Sequence, residues 1–459
     1  MENSEGFSRK ATRSAGKEAR GNASSRFQSA LRRNRQTGDA GVYAVCSAHP
    51  AVIRAAIQQS IDDGSVLHVE STSSQVNQFG GYTGQTPRQF ANFIQSAAHR
   101  AGLPADRVLL GGDHLGPFPW RNEPSASALE KGCELVRSCV LAGYQKIHLD
   151  PSMACTDDAQ ALKEISIAER AVLLCAAAEE AFRELPSGSS EPVYVIGTEV
   201  PAPGGELAAS DSLAVTKAVD VHRTLEIFHK VFIDKGLSSA WERVVALVVQ
   251  PGVDFGSDVI FDYRPGNAAE LSAALSTQTG IVYEAHSTDY QSPSALMQMV
   301  KDRFAILKVG PWLTFAYREA VLALSEIERE LLNARAGCPL SNVRGSLEES
   351  MLRNPSHWRS YYQGDEAEIR RQLIYSYSDR CRYYWHEAAV QEEIKRLLDN
   401  LGQRPIPATL ISQYLPEEYK AIRAGEIQPN PDQLIQEHIR RVLRVYAAAC
   451  NQVAPARST

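Results

Sequence analysis

The residues of this chain best suited to chemistry are an adjacent acid and imidazole, Asp113-His114, which follow the apolar run Val108-Leu-Leu and two glycines. A carboxylate beside an imidazole exchanges protons, and a neutral imidazole ligates metal ions. Other apolar runs end on comparably polar sets: Ser47-Ala-His49, Glu70-Ser-Thr, His148-Leu-Asp150, Thr198-Glu199, Gln250-Pro-Gly, Glu284-Ala-His286-Ser-Thr-Asp289 and Lys308-Val-Gly310. His114, His286, Glu199 and Gln250 together make a nitrogen and oxygen donor set. That set suits zinc, manganese or a similar divalent ion better than calcium or magnesium. Such an ion polarises a substrate carbonyl. Asp113 is then the first candidate for proton transfer beside the metal, with Glu199 and Asp150 as further catalytic candidates.

The remaining polar residues at these ends are candidates for holding substrate: His49, Glu70, His148 and Asp289. The segment Gln78-Phe-Gly-Gly-Tyr-Thr-Gly84 is dense in glycine and lacks the lysine of a P-loop. Gln78, Gly80 and Gly81 either bring backbone amides to a phosphate or sugar oxygen, or belong to a loop closing over the site. Lys308 and Gly310 lie where α/β barrels commonly bind phosphate, and an ion pair with a carboxylate is the other role open to the lysine.

Residues so far apart in sequence meet only if a fold gathers them. Apolar runs at 42–46, 66–70, 108–111, 146–149, 193–197, 244–249, 281–284 and 305–309 read as strands buried on both faces. Amphipathic helical segments lie between them, with start signals such as Thr86-Pro87 and His49-Pro50. Eight β-then-α units predict a (β/α)8 TIM barrel over residues 39–335, with every polar set at the carboxyl ends of the strands. An open doubly wound sheet is the competing layout, but GxGxxG after the first strand is missing. From about 336 to 459 the pattern turns helical, and this appendage either covers the barrel mouth or forms an oligomer contact. Residues 1–38 carry nine basic and three acidic residues and are expected to be a disordered basic tail.

Six segments resemble one family closely. They are Cys46-Ser-Ala-His-Pro50, Ser73-Ser-Gln-Val-Asn-Gln-Phe-Gly-Gly-Tyr-Thr-Gly84, Gly111-Gly-Asp-His-Leu-Gly-Pro117, Tyr194-Val-Ile-Gly-Thr-Glu-Val-Pro201, Tyr283-Glu-Ala-His-Ser-Thr-Asp-Tyr-Gln291 and Ile411-Ser-Gln-Tyr-Leu-Pro416. The family is the Z-type, accessory subunit family of D-tagatose-1,6-bisphosphate aldolase, and the resemblance runs from about residue 40 to about 450. It implies one of two roles in galactitol or tagatose catabolism: a non-catalytic partner of a class II aldolase subunit, or a 4-epimerase of ketohexose 6-phosphates. A kinase label, also used for such proteins, conflicts with the absence of a GxxxxGK[ST] loop.

The family is similar in turn to class II aldolases, which implies that Asp113-His114 matches their acid and first zinc ligand and that His286 matches a later ligand. Gln250 stands where those enzymes have another histidine, which argues against aldolase activity. The resemblance implies an epimerase route: the metal polarises the C2 carbonyl, the C3–C4 bond opens, and the aldehyde is re-attacked on its other face.

Composition is that of an ordinary globular protein, with 459 residues, 44% hydrophobic and 22% charged. A net charge of −6 despite the basic tail speaks against nucleic acid as a partner. Eight cysteines without a CxxC pair, and no signal-peptide or membrane-length apolar run, point to the cytoplasm. A phosphorylated ketohexose, an aldolase subunit and a second copy of the chain are the partners to consider.

Overall fold

Short β-branched runs, buried on both faces, set the architecture. The structure is a computed structural model that describes residues 22–159, 161–197, 213–275, 280–332 and 339–451. The barrel strands are β1 (Val42–Val45), β2 (Leu67–Thr72), β3 (Val108–Leu115), β4 (Lys146–Leu149), β5 (Val193–Ile196) and β6 (Val244–Val249). A small antiparallel hairpin follows, β7 (Asp254–Phe255) with β8 (Ile260–Phe261), and then β9 (Val282–Ala285) and β10 (Phe304–Val309) complete the barrel. The closed order is β1-β10-β9-β6-β5-β4-β3-β2, parallel throughout, and each barrel strand is followed by a helix. This is the (β/α)8 TIM barrel expected from the sequence.

Local signals explain the joints. Thr86 caps the helix Pro87–Arg100 in a reciprocal capping box with Gln89, with proline at the first helical position. His49 occupies the N-cap of Pro50–Asp63 but makes no side-chain cap bond. Its ring instead lies 4.2 Å from that of Tyr317.

Alternate residues of each strand point into the barrel, so its interior is written two residues at a time. Val42, Leu109, Val193, Val195, Ala246, Val248, Val282, Ala305 and Ile306 form one apolar cluster with Ala23, Phe27 and Leu31 of the helix Ala23–Thr37. That helix corrects the expectation of a disordered tail over its length. It is capped by Asn22, and its apolar stripe covers aliphatic ends that water would otherwise meet. Residues 1–21 lie outside the described part.

The C-terminal helices join the main core. Pro431–Ala449 packs on Pro50–Asp63, Pro293–Lys301 and Pro311–Leu332. Its Tyr446 hydroxyl donates to the Thr288 carbonyl at 2.8 Å. Residues 376–385 are fastened to the barrel top, where Arg318 pairs with Asp379 at 2.8 Å and the Tyr377 amide donates to the Ser257 carbonyl at 2.9 Å. Among the described residues no helix is long and apolar enough to cross a membrane, and the seven described cysteines are free thiols.

Candidate active site

The upper interior of the barrel is charged. In a regular strand Asp113 and His114 would point to opposite faces, yet both line the same cavity. The register of β3 against β4 shifts between Gly112 and Leu115, and His114 takes φ 47°. This bulge turns both side chains inward, at the strain a non-glycine residue incurs there. Ser287 and Tyr290, just past His286, also have positive φ, at 52° and 64°. Gly111 makes room one step below, where a Cβ would fall 2.8 Å from Cγ of Glu70.

Asp113, His114, His148 and His286 are buried and bring one donor atom each within 4.8 Å of one another. An ionised carboxylate only accepts hydrogen bonds, so the neighbours assign the imidazole tautomers. His114 donates from Nδ1 to Asp150 Oδ2 at 2.6 Å, and His286 donates from Nε2 to Glu284 Oε1 at 2.9 Å. The atoms left over, His114 Nε2 and His286 Nδ1, face each other at 3.2 Å, with a lone pair on His286 Nδ1 and, when His114 is neutral, on both. Two such lone pairs repel unless a proton or a cation lies between them.

Burial holds His286 at about 4, only partly opposed by Asp113 and Glu284, so its ring is neutral. Burial also opposes charge on His114, but Asp113 and Asp150 outweigh it and raise its pKa. Asp113 is held well below the usual carboxylate range: Lys308, His114 and His286 overcome its burial.

Below the imidazoles lies a compact charge lattice. Lys146 bridges Glu70 and Glu284 at 2.7 Å each, with all three side chains fully buried. Lys308 pairs with Glu70, with Asp113 Oδ1 at 2.9 Å and with Glu284 at 3.5 Å. His68 closes the lower end on Glu70 at 2.8 Å. Three carboxylates, Glu70, Asp113 and Glu284, thus face two ammonium groups, and Asp150 stands behind His114. This excess of carboxylate suits a divalent cation.

The residues present fit such an ion. Imidazoles oriented by carboxylates behind them, with a carboxylate alongside, are the usual surroundings of zinc.

The sequence-derived candidates divide. Asp113, His114, His148 and His286 come together. His148 accepts the His114 amide at Nδ1, 3.1 Å away, so it belongs to this group rather than to a separate substrate subsite. Asp150 is committed to His114 and to the Ser152 hydroxyl, so it orients an imidazole and does not face substrate. Glu70 serves the lysine lattice. Gln250 does not supply a ligand, because its Oε1 accepts the amides of Gly252 and Val253 at 2.8 and 3.0 Å. Glu199 lies outside the described residues.

The expected phosphate groups are spent internally. Gln78 donates to the Lys131 carbonyl at 2.9 Å. The amides of Gly80 and Gly81 donate to the Asn77 backbone carbonyl and Oδ1, so they form a turn rather than an anion nest. Asp289 accepts the amides of Gly310 and Trp312 at 3.0 and 2.8 Å, and burial lifts its pKa to about 6. Lys308 is held by its three carboxylates, and His49 rests on Tyr317.

Residues that sequence reasoning did not single out include Lys146 and His68, whose signal was polarity at inward positions of β4 and β2. Arg380, Arg382 and Tyr383 were also missed, and they line the upper wall of a cavity of about 770 Å³ whose floor holds Asp113, His114 and His286. The appendage therefore covers the barrel mouth.

Fold and site together define a TIM-barrel protein with a buried, metal-competent group of histidines and an aspartate at the carboxyl ends of its strands. The chain belongs to the family described as D-tagatose-1,6-bisphosphate aldolase subunit GatZ/KbaZ-like, which matches residues 27–451. A crystal structure described as a probable tagatose 6 phosphate kinase from Sinorhizobium meliloti 1021 shares 41% identity, covering 89% of this chain and 100% of that one, with a TM-score of 0.82. A fructose-bisphosphate aldolase from Campylobacter jejuni aligns at 12% identity over 92% of this chain and 93% of its own, with a TM-score of 0.43.

Proposed function

We propose that this chain is a divalent-metal-dependent epimerase that interconverts D-tagatose 6-phosphate and D-fructose 6-phosphate at C4, with zinc the first candidate ion. The observation that carries this reading is the cluster of Asp113, His114, His148 and His286, with three of them on the floor of a cavity of about 770 Å³. A purely structural subunit has no use for so costly a burial of charge. The family and the tagatose 6-phosphate description of the relative favour the sugar.

His114 and His286 would hold the ion, with Asp113 as a further donor, and when bound it would supply a Lewis acid for the ketose carbonyl. Lys308 donates to Asp113 Oδ1, which leaves Oδ2 to act on substrate. Oδ2 accepts the proton of the C4 hydroxyl as the C3–C4 bond opens and its electron pair passes towards C2. The phosphorylated aldehyde turns, the bond re-forms on its other face, and Asp113 returns the proton with C4 inverted. Lys308 keeps Asp113 ionised for the first transfer, and Glu284 and Asp150 keep the imidazoles oriented.

A second reading, a non-catalytic subunit of a class II aldolase, is favoured by the turn-bound Gln250 at the end of β6. Incubating the purified chain with D-tagatose 6-phosphate and Zn²⁺ or Mn²⁺ separates the two. The expected product is D-fructose 6-phosphate. No product, together with stimulation of a co-expressed aldolase subunit, would sink the epimerase.

A further inference from the structure

A C3–C4 opening leaves the C6 phosphate on the aldehyde fragment, which must stay bound while it turns. An anchor for that phosphate is therefore needed, away from the carbonyl end. The usual barrel position at the end of β10 cannot serve, because Asp289 already takes the Gly310 and Trp312 amides and Lys308 lies among three carboxylates. The opposite wall of the cavity has a different chemistry.

There Arg382 donates to the carbonyls of Ser378 and Asp379 and to the Tyr383 hydroxyl. No ion pair joins it to a carboxylate among the described residues, whereas buried Arg318 of the helix Pro311–Leu332 has Asp379. Arg380, 3% exposed, donates to the His357 carbonyl and lies over the Tyr361 ring. Burial above all, with the Arg382 charge adding to it, lowers the Arg380 pKa. Burial raises the pKa of the Tyr383 hydroxyl, but the Arg382 and Arg380 charges outweigh it and bring it below its ordinary value. Ser360 lines the same cavity. The Arg382 guanidinium, held by two carbonyls and a hydroxyl on the cavity wall, forms a site for a phosphate.

We infer that Arg382, carried by the C-terminal segment, binds the phosphate of the ketose phosphate and so makes the appendage the specificity element of the barrel; this rests on the epimerase reading for the sugar. Calorimetric titration of the whole Zn²⁺-loaded chain with fructose 6-phosphate and with fructose tests it without turnover. Arg382→Gln is expected to weaken fructose 6-phosphate by about 30-fold or more and to leave fructose unchanged, with Arg382→Lys in between. Should Arg382→Gln fail to fold, as read by its thermal melt, Arg382→Lys carries the test by its intermediate loss. Unchanged phosphate affinity in the folded variants, or a wild type without preference for the phosphorylated sugar, overturns the inference. Binding through Arg382 without any epimerisation would overturn the function reading alone.

Discussion

The lower and upper halves of one barrel are built from the same strands and differ in a single step of two residues. On β10 the inward position changes from Ile306 to Lys308, and on β9 from Val282 to Glu284 and then His286. On β3 it passes from Leu109 through Gly111 to Asp113. Below this step, aliphatic side chains meet Phe27 and Leu31 in an apolar plug. Above it, every strand from β9 round to β4 except β1 carries charge, whereas β5 and β6 stay apolar with Val193, Val195, Ala246 and Val248. The site is thus one-sided, and Gln250 at the top of β6 stands on the silent side. The lower half supplies the stability that the upper half, with its buried charges and left-handed backbone, uses up.

The largest effect should come from His114→Ala, with turnover down more than about 100-fold and the metal content of the purified chain lost, while the melting temperature hardly falls. Retention of metal by both His114→Ala and His286→Ala would remove the proposed ligand shell. Lys146→Met should lower stability by about 3–5 kcal/mol in urea unfolding, because Glu70 and Glu284 would keep buried charge with only Lys308 left to share.

In the lower half, Phe27→Ala should cost about 3 kcal/mol by the same measurement and leave KM and kcat near wild type. A drop in kcat as large as that of His114→Ala would break the division between the halves. Asp150→Asn should weaken metal affinity by about 10–100-fold, read by competition with a chelator, without changing the fold.

The smallest effect belongs to the outer layer. Burial disfavours charge on His438, but hydrogen bonds with Glu319 and Glu418 at 3.2 and 2.9 Å prevail and raise its pKa to about 9. A raised folded value means stability fully present below the unfolded value near 6.5 and lost as pH rises through 9. With Glu319 half exposed, the loss should be about 1–2 kcal/mol, seen as a fall in melting temperature between pH 6.5 and 9 that His438→Gln abolishes.

Strand spacing, the Thr86-Pro87 start and the placement of Asp113, His114 and His286 at strand ends were all legible in the chain, because a buried parallel strand must be a short apolar run and its carboxyl end must turn polar to leave the core. The helix Ala23–Thr37 was hidden by its arginines, since composition weighs charge and misses a stripe of Phe27 and Leu31. Lys146 was hidden for a related reason: one lysine before Ile147-His-Leu149 reads as a strand boundary until closure of the barrel puts it between Glu70 and Glu284.

By itself the sequence determined the barrel, the polar rim and the pair Asp113-His114, all of which follow from patterns local to a strand or a helix. Tertiary structure alone decided which rim residues face one another. The bulge at His114 turns two neighbours to one side, and the backbone hydrogen bonds of Gln250, Gly80 and Gly310 remove them from the site. The fold of the C-terminal segment returns Arg380 and Arg382 to the cavity mouth. Contacts across a closed barrel join residues hundreds of positions apart, and no local spacing encodes them.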